Sequence, residues 1–172
     1  VTTATAISFS KASPAALVFD KASKRCVGWG AFSKKAGVEY DDEHGDHTPD
    51  DEFFKATGGL MKKDFSEREI NVSHLGAAQG SIVTAWAMGE DIAKALKIDT
   101  GGNYGVLLDF EPGPELLAKI ESGEMFRLSM EGLAHNVEIV KSATGIAAAK
   151  RKRILRGVEL TKWAVCPLGA HE

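Results

Sequence analysis

The sequence of 172 residues has only two cysteines, Cys26 and Cys166. They can form at most one disulfide, and their neighbours resemble no metal-binding or redox motif, so we expect two free thiols. The sequence also lacks an apolar run of the roughly 18 to 20 residues that a membrane-spanning helix needs, and its first residues lack the pattern of a signal peptide. These absences predict a cytosolic protein with no membrane partner.

A strong excess of charge is missing too. The net charge is -3, with 26% charged and 44% hydrophobic residues, which is ordinary for a soluble globular protein. Such a balance gives no general attraction to nucleic acid, so we expect no direct nucleic-acid binding. The length suits one core. We predict one domain over residues 16–170, preceded by a flexible segment over residues 1–15 and containing a flexible basic linker over residues 142–153.

The hydrophobic pattern contains about seven short strands with helices between them and no regular alternation of strand and helix. It predicts an α+β fold, namely a mostly antiparallel barrel or sheet of about seven strands with peripheral helices. Thr48 is the expected cap of a helix that has Pro49 at its first position. Strands are expected on either side of GAAQG (residues 76–80), and residues 125–140 are expected to be extended with an interruption near Gly132.

Seven short motifs follow one another along the chain. They are GWGAF (28–32), HGDHTPDDEF (44–53), NVSHLG (71–76), GSIVTAW (80–86), YGVLLDF (104–110), ESGEMFRLSMEG (121–132) and VELTKWAVCPLGA (158–170). In order and spacing they resemble the prohead proteases of tailed phages, and within that group the XkdF-like serine proteases. The resemblance covers roughly residues 16–170, and the group is similar in fold to the herpesvirus assembly protease.

The resemblance implies a serine endopeptidase of capsid maturation. Members of the group cut scaffolding protein, extensions of the major capsid protein, and themselves, inside the immature shell in the host bacterial cytoplasm. The implied partners are therefore scaffolding protein and major capsid protein, with a possible homodimer and no cofactor. A catalytically silent capsid- or scaffold-associated module with the same fold is the alternative.

The resemblance also implies a catalytic set. The histidine of the family's H-x-G motif falls on His74, as general base. The serine of its G-x-x-x-x-x-S-x-x-G motif falls on Ser129, as nucleophile. The acid that opens its E-x-[ST] segment falls on Glu159, which would orient the base.

The residues around Ser129 are compatible with this role. On a strand, Leu128 and Met130 can face the core while the serine hydroxyl faces out. Gly132 could leave room for backbone donors near an oxyanion. Without the resemblance, a surface serine and a satisfied histidine would be the ordinary interpretation of Ser129 and His74.

The third member of the set has rivals. The herpesvirus relatives use a second histidine, which makes His135 a candidate, and Asp109 is another. His135 follows Ser129 by six residues, about 20 Å along one strand, and comes close only if the chain folds back near Gly132. Glu159 is therefore preferred.

Other features are weighed against simpler roles. The loop with Asp41, Asp42, His44, Asp46 and His47 has the residue types of a metal site and of a metal-dependent hydrolase, but no second ligand cluster with suitable spacing, so a solvated loop beside the substrate cleft is favoured. The basic run at residues 150–153 favours a solvated linker over a binding patch.

Cysteine and tryptophan residues can also have structural roles. Cys166 with His171 could form a thiol nucleophile and base, but the apolar neighbours of Cys166 favour core packing. Trp29, Trp86 and Trp163 are expected in the core or at a dimer interface.

Overall fold

The computed structural model describes residues 6–42, 45–140 and 152–167. In these residues the chain forms an α+β fold with ten strands in one sheet and three α-helices. The strands are β1 (Ile7–Ala16), β2 (Val18–Asp20), β3 (Arg25–Lys35), β4 (Val38–Glu39), β5 (Asp46–His47), β6 (Glu69–Val72), β7 (Leu75–Met88), β8 (Tyr104–Pro112), β9 (Arg127–Val140) and β10 (Lys152–Cys166). The helices are α1 (Asp50–Met61), α2 (Glu90–Leu96) and α3 (Pro114–Glu121). None of these helices is long and apolar enough to span a membrane.

The predicted fold class is confirmed, whereas the predicted count of about seven strands is wrong. Three of the ten strands have only two or three residues each. Two-residue strands show no alternating pattern of apolar and polar residues, so the sequence does not reveal β4 and β5, and it also does not reveal the longer β1.

The hydrogen-bonded sheet is an open path in the order β1-β9-β10-β6-β7-β8-β3-β2, with β4 added to β3 and β5 added to β10. All pairs are antiparallel except those of β10 with β5 and with β6. The two strands at the ends of the path, β1 and β2, are separated in the chain by Leu17 alone. The sheet must therefore curl until its ends lie close together.

The interior of the curled sheet is closely packed. A Cβ atom added to Gly28 on β3 would lie 2.7 Å from Leu17 and 3.4 Å from Leu128 on β9, so β3 packs closely against the other end of the sheet. Both cysteines are buried and free, which confirms the prediction of two free thiols. Trp163 is one of the largest buried side chains and packs against Gly30.

Helix α1 confirms the predicted helix but not its predicted cap. Pro49 occupies the N-cap position, and among the described residues it has no side-chain capping bond and the buried Thr48 hydroxyl has no hydrogen-bond partner. Because the helix begins one residue later than expected, Thr48 is too far from the first free amides to cap them. The buried Glu52 carboxylate accepts a hydrogen bond from the backbone N–H of Val158 (3.3 Å), which ties the helix to β10.

Two predicted segment boundaries differ from the structure. The domain was expected to begin at residue 16, but β1 begins at Ile7 and pairs along β9. The basic linker was expected to extend to Arg153, but Lys152 and Arg153 belong to β10, where Arg153 pairs with Asp46 of β5. The rest of that predicted linker, residues 142–151, lies outside the described residues. The alternating pattern of a strand is weak at both places, so long-range pairing decided them.

Candidate active site

His74 lies at the tip of a tight turn between β6 and β7. Val72 pairs with Leu75, so Ser73 and His74 form a two-residue turn in which both have positive φ, 50° and 59°. Such turns favour asparagine and glycine, and the left-handed conformation costs other residues about 1 kcal/mol or more each. The glycines at residues 76 and 80 led us to expect the break between the two strands at residues 76–80. Those residues lie within β7, and the turn is made by Ser73 and His74 instead.

The turn is anchored to the neighbouring strand. The backbone N–H of Ser73 donates a hydrogen bond to the carbonyl oxygen of Val165 on β10 (3.0 Å). Residues 70–72 of β6 pair with residues 163–165 of β10 just before the turn. Because β10 also pairs with β9, this anchor sets the height of the His74 ring above β9.

Ser129 is near the start of β9, between β1 and β10. Its flanking residues Leu128 and Met130 are fully buried, as the sequence predicted. We expected the hydroxyl of Ser129 to face solvent, but Ser129 is fully buried. Instead it lies under the imidazole, with Nε2 of His74 2.8 Å from Oγ of Ser129.

Glu131 lies on the other side of the same imidazole. Its Oε1 atom is 3.6 Å from Nδ1 of His74, and its side chain is 34% exposed whereas that of His74 is 9% exposed. Residues two apart on a strand project from the same face, so Ser129 and Glu131 both face His74. The three side chains thus form a chain of hydroxyl, imidazole and carboxylate.

The structure does not bring Glu159 or His135 to this site. Glu159 lies opposite Leu133, and its Oε2 atom is 3.7 Å from Nε2 of His135. Strand β9 runs through Gly132 without folding back, so Leu133 is about 13 Å beyond Ser129 at roughly 3.3 Å per residue. Both members of this pair are more than half exposed, as expected for a surface ion pair.

The structure also places Gly132 and the rival carboxylate Asp109 away from this site. Gly132 pairs with Phe9 and Leu160 inside the sheet, and a residue three positions from Ser129 points to the opposite face, so it does not adjoin the hydroxyl. Asp109 accepts hydrogen bonds from the guanidinium of Arg25 on β3. Sequence reasoning missed Glu131, although the two-residue spacing from Ser129 was a usable signal.

Cys166 adjoins the site from the end of β10. Burial raises the pKa of its thiol above the usual value, while hydrogen bonds with Ser73 and Ser129 act in the opposite direction. The negative charge of Glu131 adds to the rise in pKa. A thiol with a raised pKa stays protonated at neutral pH, so Cys166 is a neutral neighbour of Ser129 and not a thiolate nucleophile. Its predicted partner His171 lies outside the described residues.

The acidic loop has structural contacts. Asp46 is buried and accepts hydrogen bonds from Arg153, at 2.7 Å for one of them. Nδ1 of His47 lies 3.1 Å from the carbonyl oxygen of Tyr40 and 3.4 Å from the Asp41 carboxylate. Within the described ranges no group of three or more His, Cys, Asp or Glu side chains could hold a metal ion. His44 lies outside those ranges.

Comparisons with known proteins bear on the fold. No protein-family model matches this sequence, and no curated protein matches it. Among solved structures, the bacteriophage T4 capsid assembly protease, gp21, is similar, with a TM-score of 0.56. The alignment covers 94% of this chain and 96% of that one, at 14% sequence identity. The chain therefore has a fold similar to that of a phage capsid assembly protease, over nearly its whole length.

Proposed function

We propose that this chain is a serine endopeptidase of phage capsid maturation, with Ser129 as nucleophile, His74 as general base and Glu131 as the carboxylate that orients the base. The observation that carries the proposal is the 2.8 Å contact between His74 and Ser129, two residues 55 positions apart. Both are residues that the family resemblance implies for these roles. The fold similarity to the T4 capsid assembly protease supports the type of substrate.

The contacts support acyl transfer through a covalent intermediate. As Oγ of Ser129 attacks a peptide carbonyl carbon, Nε2 of His74 accepts the hydroxyl proton, and the carbonyl oxygen becomes an oxyanion. The imidazolium then donates this proton to the leaving amine, and the C–N bond breaks to give an acyl-enzyme. Water, deprotonated by His74, attacks the ester and releases Ser129.

Glu131 contributes through the imidazole. A carboxylate beside Nδ1 favours the tautomer in which Nδ1 carries the proton and Nε2 is free to accept one. Its negative charge also stabilises the imidazolium that forms during each proton transfer. This role differs from the assignment of Glu159, whose carboxylate lies beside His135.

Access to Ser129 requires a movement. The residue has no exposed surface, so a substrate carbonyl can reach Oγ only when a covering element shifts. The turn that carries His74 is followed by the exposed residues Leu75 and Gly76, which leaves space for such a shift. The natural substrates we propose are scaffolding protein, capsid-protein extensions and the chain itself, inside the immature shell in the host cytoplasm.

The burial of Ser129 also favours a second candidate, a catalytically silent capsid- or scaffold-associated module. Incubation with the scaffolding protein of the same phage separates the two. We expect cleavage by the wild type and none by Ser129→Ala or His74→Ala. We expect full cleavage by the control Ser66→Ala, which alters an exposed serine outside the set of Ser129, His74 and Glu131. Mass spectrometry after treatment with a fluorophosphonate should find the label on Ser129.

Other outcomes are equally informative. Equal cleavage by the wild type and Ser129→Ala would contradict the serine mechanism. No cleavage and no labelling by the wild type would support the silent module. Cleavage that persists in a chelator would exclude a metal-dependent hydrolase built on the His47 loop.

A further inference from the structure

One side of β10 is open in the middle of the strand. On its other side β9 pairs along nearly the whole strand. On the open side, β5 pairs only at Arg153 and Ile154, and β6 only at residues 163–165. Between these points no strand of the described part pairs with β10, and α1 lies across the gap. An unpaired strand edge can accept an extended polypeptide.

Two adjoining cavities run along this open side. The first, of about 270 Å³, begins at His74 and reaches Trp163, Lys162 and Thr161 of β10. The second, of about 230 Å³, continues along residues 158–160 of β10. Leu60 and Lys63, at the end of α1, line both cavities. We call this continuous depression, between α1 and residues 158–163 of β10, the β10 groove.

Two residues that line the β10 groove have buried polar atoms without hydrogen-bond partners in the described part of the chain. Trp163 is 2% exposed and lines the groove, and its indole Nε1–H has no hydrogen-bond partner within the described residues. The same holds for Oδ1 of Asn71, which lines the groove beside His74. An unsatisfied buried polar group costs about 1–3 kcal/mol, and both atoms have almost no exposed surface, so a ligand that reaches them when the groove wall shifts gains affinity. One donor and one acceptor match the C=O and N–H groups of a polypeptide backbone.

The charges that line the groove do not select a ligand of one sign of charge. Three positive and three negative groups line it, namely Lys55, Lys63, Lys162, Glu67, Glu69 and Glu159. This balance favours neither an acidic nor a basic ligand. Recognition through backbone groups is therefore the better match, and it suits an enzyme that must accept more than one protein segment.

We propose that the β10 groove binds the substrate polypeptide in an extended conformation alongside the open edge of β10, and leads it to His74 and Ser129. The inference rests on the proposed protease function and assigns the substrate segment on one side of the scissile bond. The edge from Glu159 to Lys162 comprises four residues and is about 10 Å long at roughly 3.3 Å per residue step, so it accommodates about four substrate residues.

Two neighbouring glycines of α1 provide a matched test. Gly59 lines the β10 groove, whereas Gly58 does not line either cavity. A Cβ atom at either position would meet nothing within 4 Å, so a larger side chain starts from open space at both. We expect Gly59→Trp to lower kcat/KM for the scaffolding protein at least 10-fold, mainly through KM, and Gly58→Trp to leave it unchanged. Both variants should react with the fluorophosphonate at Ser129 at the wild-type rate.

This design separates the inference from the function on which it rests. Wild-type kcat/KM in Gly59→Trp, with labelling of Ser129 intact, would overturn the groove and leave the protease standing. If the wild type neither cleaves nor reacts with the fluorophosphonate, the proposed function fails and the groove assignment fails with it.

A binding measurement tests the same groove without catalysis. The chain has three tryptophans, so its ¹⁵N spectrum contains three indole signals. Trp29→Phe and Trp86→Phe assign them by elimination and leave the buried Trp163 in place. In Ser129→Ala, a peptide that spans a scaffold cleavage site should shift the Trp163 signal alone. A saturating peptide that leaves the Trp163 signal unchanged would overturn the proposal.

Discussion

The carboxylate of Glu131 lies 3.6 Å from Nδ1 of His74, on the side of the imidazole away from Ser129. Because Glu131 and Ser129 are two residues apart on β9, the pleat of a single strand positions both of them. The base comes from a separate turn, which is tied to β10 through Ser73. The candidate site thus needs only two segments to be in register, a strand and a turn.

The first prediction compares two glutamates. Glu131→Gln keeps the size of the side chain but removes the charge that stabilises the His74 imidazolium, so we expect kcat for scaffold cleavage to fall about 10- to 100-fold. Glu159→Gln breaks an exposed ion pair with His135 at the β10 groove and should change kcat by less than about twofold, since an effect on substrate binding in the groove changes KM. Steady-state kinetics on the scaffolding protein measures both. A larger loss in Glu159→Gln than in Glu131→Gln would assign the orienting role to Glu159.

The second prediction concerns the buried thiol beside Ser129. Burial raises the pKa of Cys166, and burial together with Asp109 raises the pKa of Cys26 to about 11. Both thiols are therefore protonated at neutral pH, and alkylation by iodoacetamide should be slow there and faster as the pH rises. Cys166→Ala should retain scaffold cleavage. Loss of cleavage in Cys166→Ala together with its retention in Ser129→Ala would indicate a thiol nucleophile.

The third prediction tests the packing of the core. A Cβ atom on Gly30 would lie 2.1 Å from Cζ3 of Trp163, so Gly30→Ala forces the buried indole or β3 to move. We expect the free energy of unfolding to fall by about 1–3 kcal/mol. Gly58→Ala, in helix α1 with nothing near the new methyl group, should raise it by about 0.5–1 kcal/mol. Urea denaturation measures both, and a neutral Gly30→Ala would contradict the close contact.

The fourth prediction concerns the ion pair that joins β5 to β10. Asp46 is buried, and Arg153 binds both of its carboxylate oxygens. Arg153→Met leaves a buried negative charge without this arginine, so we expect the free energy of unfolding to fall by about 3 kcal/mol. The control Arg156→Met breaks exposed contacts with Glu138 and Asp51 and should cost less than about 1 kcal/mol. Similar losses of the free energy of unfolding in the two variants would show that the buried ion pair contributes no more to stability than the exposed one.

Local sequence patterns were sufficient for some of the longer elements. The apolar run YGVLLDF lies within β8, and a proline followed by three acidic residues marked the start of α1 to within a residue. The two-residue strands β4 and β5 were not predictable, because a segment this short shows no alternating pattern of apolar and polar residues. The turn at Ser73 and His74 was also missed, since neither residue favours the positive φ that long-range packing imposes there.

The sequence by itself determined the fold class, the two free thiols and the selection of His74 and Ser129 as candidate base and nucleophile. Only the tertiary structure decided which carboxylate accompanies them. The chain offers 24 acidic residues, and their distances to one imidazole depend on how β6 and β7 are placed against β9 and β10. That placement comes from pairing between strands far apart in the chain, whose register no local pattern contains. The β10 groove arises in the same way, because an edge is open only where no other strand arrives.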